Sequence, residues 1–124
     1  MNEKERKIQT DLHQAVNNLA ELGQTDLTND VAQDAFIKRF ELLYELGWKW
    51  LKIKLEQEGI IAKSPRQVFK QAVSMGWIKN RHDWLKMIEI RNILIHTYSA
   101  EKAREAVPDI KETFLPLFNQ ILDI

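Results

Sequence analysis

Phe36-Ile37-Lys38-Arg39-Phe40-Glu41-Leu42-Leu43-Tyr44-Glu45-Leu46-Gly47-Trp48-Lys49-Trp50-Leu51 holds the pattern on which the fold turns. Phe36, Phe40, Leu43, Leu46 and Trp50 recur at steps of three and four, the spacing of one helix face. Ile37, Tyr44, Trp48 and Leu51 fall on other faces of the same helix. With Leu55 continuing the main stripe, the helix is expected to reach about Gln57. A helix this long and this widely apolar must be covered on more than one side, by its own chain or by a partner.

Upstream, Thr28 or Asn29 is placed to cap this helix. Before it, Ile8, Leu12, Ala15, Leu19 and Leu22 make Glu3 to Leu22 a one-sided amphipathic helix ended by Gly23. Downstream, Gly59 closes the long helix. Ser64-Pro65 opens a third, with a cap residue followed by proline at the first helical position, and that helix ends at Gly76. A fourth begins between Arg81 and Asp83. Ser99 is the cap of a fifth, which Pro108 either kinks or splits. No stretch alternates as a strand would. The expectation is an all-α fold, a single domain over residues 1–124 built as an antiparallel bundle of four to five helices.

At 124 residues the chain suits one core and is too short for two. It has no cysteine, which excludes disulfides, thiolate nucleophiles and cysteine metal sites and fits a cytoplasmic protein. The charged start resembles no signal peptide, and no apolar run approaches the roughly 20 residues of a membrane span. Three histidines without suitably spaced carboxylates suggest no metal site. His13 is expected to be solvated and the four tryptophans to fill the core or an interface, although tryptophans can also stack on bases. The net charge is zero, against a grip on nucleic acid through the overall field. From Trp48 to Arg91, however, ten Lys or Arg stand against four acids, a balance of +6 that permits a phosphate-bearing ligand at one place.

The candidate site is Arg91-Asn92-Ile93-Leu94-Ile95-His96-Thr97-Tyr98, near the end of the fourth helix. At about 100° per residue, His82, Lys86, Glu89, Asn92 and His96 form one polar stripe. Arg91 falls on the opposite side near Trp84, Met87 and Ile95, with Tyr98 above it if the helix runs that far. Arg91 and His96 are five positions apart, so one straight helix does not bring them together. Either the helix ends near Leu94 and turns His96 inward, or two copies of the chain combine their motifs. From spacing alone, an arginine that snorkels to water or pairs with Glu89 or another carboxylate is the simpler explanation of the pattern.

The octapeptide resembles the R-x4-H-x-Y motif of HEPN domains (higher eukaryotes and prokaryotes nucleotide-binding). Residues 36–49 resemble that family's long second helix, Ser64 to Phe69 its third, and Asp83 to Met87 the lead into the motif in the branch of nucleotidyltransferase substrate-binding proteins. The likeness covers about residues 30 to 120. It implies a HEPN-like bundle and a homodimer formed through the fourth-helix region. It further implies a metal-independent endoribonuclease toxin without a cofactor, acting on RNA. Arg91 and His96 would be its catalytic pair, with Asn92 as the supporting polar residue. A minimal nucleotidyltransferase would silence it by attaching AMP to Tyr98. The branch's older name implies instead a non-catalytic subunit that binds the nucleotidyltransferase's substrate or a nucleotide.

Overall fold

The computed structural model describes residues 1–124, folded as helices without a strand. Helix α1 (Glu3–Gly23) starts on Asn2, whose side chain accepts the Glu5 N–H, with Glu3 and Glu5 at the positive end of the helix dipole. Its stripe buries Leu12, Val16 and Leu19 against α2 (Asp30–Gln57). Asn29 is the cap of α2, accepting from the N–H groups of Val31 and Ala32. This helix is the central element. Phe36, Ile37, Phe40, Leu43, Tyr44, Trp50, Leu51 and Leu55 are all buried, pointing to α1 on one side and to later helices on others.

Gly59, at φ +78°, ends α2 in the left-handed region. Its N–H bonds to Glu56 O and the Ile60 N–H to Leu55 O, so the last carbonyls are satisfied by a Schellman turn. Gly76 repeats this after α3 (Pro65–Ser74), which opens on the Ser64 cap with Pro65 in its first turn. Helix α4 (Arg81–His96) follows Asn80, a left-handed residue at φ 67° with no side-chain cap bond. Gln120 holds that corner from a distance. Its Oε1 accepts the Lys79 N–H at 2.7 Å and its Nε2 donates to Asn80 Oδ1 at 3.2 Å.

Helix α5 (Ala100–Arg104), capped by Ser99, stops before Pro108, so the proline splits rather than kinks this region. A composite helix α6 (107–120) follows. It contains an unforeseen π-turn, Ile110–Phe114, immediately before Pro116. Proline lacks the N–H for an α-helical bond to Glu112, and its ring crowds that carbonyl; the widened turn, with the Leu115 N–H reaching Ile110 O, relieves both. Ile110, Phe114 and Phe118 of α6 are fully buried, and the rings run on through the core: Phe118 meets Trp84, Trp84 meets Phe69, and Phe69 meets Tyr44. Trp50 and Trp84 are core residues, whereas Trp48 and Trp77 are half-buried. The returning C-terminus also corrects the expectation for His13, whose Nε2 lies 3.0 Å from Leu122 O in a partly buried bond. No helix is long and apolar enough to cross a membrane.

Candidate functional site

Arg91 is anchored, not snorkelled. Its guanidinium donates from Nη2 to Glu45 Oε1 at 2.7 Å, across from α4 to α2. The Arg91 side chain is 26% exposed, and its Cζ lies 5.2 Å from the centroid of the Tyr44 ring. Glu45 is shared: its Oε2 accepts the Trp48 indole N–H at 3.2 Å, with Lys49 Nζ at 3.7 Å. The Nε of Arg91 is buried and has no partner within the chain. An arginine fixed on an aromatic face by a carboxylate presents its remaining donors in a defined direction, as recognition of a phosphate requires.

His96 is the last residue of α4 and is exposed, so the possibility of an inward turn near Leu94 is excluded. Five helical residues separate it from Arg91 by about 7.5 Å of rise and about 140° of rotation. One chain therefore does not bring the two together. Asn92 is exposed one turn before His96 on the same stripe, a spacing at which helical side chains are neighbours. Thr97 leaves the helix in extended conformation (φ −92°, ψ 135°), and Tyr98 stands in solvent with its whole surface accessible. The ring on Arg91 is thus Tyr44, and not Tyr98. Beyond Tyr98, Arg104 ties α5 to the start of α2: Nε and Nη2 donate to the two carboxylate oxygens of Asp34 at 2.9 and 3.0 Å, with Asp30 at 3.5 Å. This fork holds the Asp34 carboxyl below its usual range.

Burial pushes the Tyr44 phenol up to about 12, and Glu45 adds to the rise while Arg91 opposes it. In the unfolded chain the phenol loses its proton near its ordinary value of about 10, so between the two the unfolded state binds fewer protons. Stability therefore falls as pH rises from about 10 towards 12, by up to about 1.4 kcal/mol per pH unit from this group. Denaturant melts at pH 9 and 11 will show that fall in the parent chain and a shallower one in Tyr44→Phe, which keeps the ring under Arg91. Equal falls in the two chains count against this cause.

No three His, Asp or Glu side chains converge as a metal ion would require. Sequence reasoning missed Glu45 and Tyr44 as members of the site. The only available signal was an acid beside an aromatic on the most apolar helix, and periodicity does not say which distant side chain such a pair meets.

The family model described as nucleotidyltransferase substrate binding protein like matches residues 6–124. A protein of Haemophilus influenzae called probable ribonuclease HepT is 29% identical over 110 residues, 82% of this chain and 75% of that protein. A solved structure from Thermus thermophilus is 30% identical with a TM-score of 0.79, covering 90% of this chain and 96% of the other. Another from H. influenzae, described as revealing the fold of a substrate binding domain of a nucleotidyltransferase, is 26% identical with a TM-score of 0.68 over 96% of this chain and 94% of its own. The tri-AMPylated Shewanella oneidensis HEPN toxin, solved in complex with its MNT antitoxin, shares the fold at 20% identity, with a TM-score of 0.77 over 99% of this chain and 96% of that one.

Proposed function

The chain belongs to the nucleotidyltransferase substrate binding protein family, and from that premise we propose that it is a HEPN-type toxin, a metal-independent endoribonuclease that works as a homodimer and is silenced by a minimal nucleotidyltransferase. The observation that carries the reading is the division of labour on α4, with Arg91 locked by Glu45 and Tyr44 on one side and His96 free in solvent on the other. A second copy supplies the missing juxtaposition. Ile93 and Ile95 are exposed beside the motif and give such a copy an apolar footing.

At the composite site, neutral His96 takes the proton of a ribose 2′-hydroxyl as its oxygen attacks the adjacent phosphorus. Arg91 neutralises the charge that develops on the non-bridging oxygens. The bond to the 5′-oxygen breaks and that oxygen takes up a proton from water. The products are a 2′,3′-cyclic phosphate and a free 5′-hydroxyl. Asn92 orients His96 or the sugar. For silencing, the Tyr98 phenolic oxygen attacks the α-phosphorus of ATP on the partner enzyme, pyrophosphate leaves, and the phenolic proton passes to solvent. The attached AMP adds a negative charge two residues from His96 and repels an incoming RNA phosphate.

The purified chain is expected to cut single-stranded RNA in EDTA as fast as in magnesium, leaving cyclic-phosphate ends. Activity that is lost in EDTA and restored by magnesium overturns this mechanism. The family's description favours a second reading, a non-catalytic substrate-binding subunit. Harmless overexpression without a nucleotidyltransferase partner, together with no cleavage in vitro, would select it.

A further inference from the structure

On the side of α2 that continues from Glu45, a groove of about 360 Å³ opens between the start of α1 and the end of α2. Its floor is Ile8, Trp48 and Ile53, and its rim carries Lys4, Lys49 and Lys52, with Glu56 the one acid. The lysines are weakly held: Lys49, well exposed, is 3.7 Å from Glu45, and Lys52, partly exposed, is 4.0 Å from Glu56. Trp48 joins the groove to the candidate site, because its indole N–H and the Arg91 guanidinium bond the two oxygens of the same carboxylate. An apolar, partly aromatic floor with a cationic rim suits a base and its phosphates. Stacking on the ring accepts any base, and ammonium groups track the backbone. The excess positive charge between Trp48 and Arg91 thus has one destination that the reacting groups alone do not use.

We infer that the groove formed by Ile8, Trp48, Ile53 and the three lysines is a subsite for one nucleotide of single-stranded RNA flanking the phosphate held at Arg91. The inference rests on the ribonuclease reading for its ligand, but its test does not require cleavage. Binding of a fluorescently labelled ten-nucleotide single-stranded RNA is measured by anisotropy across a salt series, using His96→Ala as the parent so that the probe stays intact. Trp48→Ala is expected to weaken binding about tenfold, within the range for loss of one base stack, and Trp48→Phe to keep most of the affinity. The Lys49→Ala/Lys52→Ala pair, both on the surface, is expected to lower the slope of log affinity against log salt by about 1.4, at about 0.7 per phosphate contact. Circular dichroism melts confirm that each variant is folded. Unchanged affinity and slope in the lysine pair overturn the subsite, as does a parent that binds no RNA. Loss of binding in the variants of a chain that never cleaves RNA upholds the subsite and removes the ribonuclease reading. Cleavage with unaltered binding in every variant does the reverse.

Discussion

A one-to-one mixture of Arg91→Ala and His96→Ala chains will recover RNA cleavage that neither variant shows alone. Each variant separately is expected to lose at least about a thousandfold, since each removes one general acid–base or charge-stabilising group from every site. If the site takes Arg91 from one copy and His96 from the other, a mixed dimer holds one complete site and one doubly defective one. Free exchange makes half the dimers mixed, so about a quarter of the parental activity returns. The measurement is the initial rate of a fluorogenic RNA substrate before and after subunit exchange. No recovery, in a mixture shown by mass-labelled chains to have exchanged, would place both residues in the same subunit's site. The about 140° between them on α4 would then have to be overcome by a change in the helix itself.

The second large effect concerns Gly47, which sits in mid-helix where alanine ordinarily gains about 1 kcal/mol over glycine. A Cβ at this position would lie 2.6 Å from Cε1 of Phe118 and 3.4 Å from Cδ1 of Ile121. Phe118 is fully buried, with its ring centroid 5.5 Å from that of Trp84, and so has little room to retreat. Overpacking costs about 1–3 kcal/mol and here opposes the propensity gain. Gly47→Ala should therefore lower stability by up to about 2 kcal/mol, and Gly47→Val, which adds two further methyl groups on a β-branched side chain, by about 3 kcal/mol or more. Urea midpoints read both. A stabilised Gly47→Ala would mean that the Phe118 ring yields.

Helix positions were legible because local chemistry sets them. Asn29, Ser64-Pro65, Gly59, Gly76 and Ser99 punctuate the chain where their side chains or backbone freedom allow. The face of α4 that holds Arg91 followed from its period. The partners did not follow, because they come from far along the chain: Glu45 is 46 residues from Arg91, and Leu122 is 109 from His13. A periodic pattern names a buried face and is silent about what closes over it. The π-turn before Pro116 was hidden for another reason, since proline offers several ways to relieve its missing bond and packing selects among them.

The short bridge between α4 and α5, residues 97–99, is held at both ends. Thr97 and Ser99 are both extended, Ser99 is committed as the cap of α5, and Arg104 moors that helix to α2. Tyr98 therefore rides on a taut span with a fixed helix at either end, its phenol wholly in water. An enzyme that needs only a side chain can work on it without disturbing the fold. One that must thread several residues of backbone through a cleft, as an endoprotease does, has first to cast off a mooring. The same tyrosine is thus open to a visitor at the quay and closed to one that needs slack in the line.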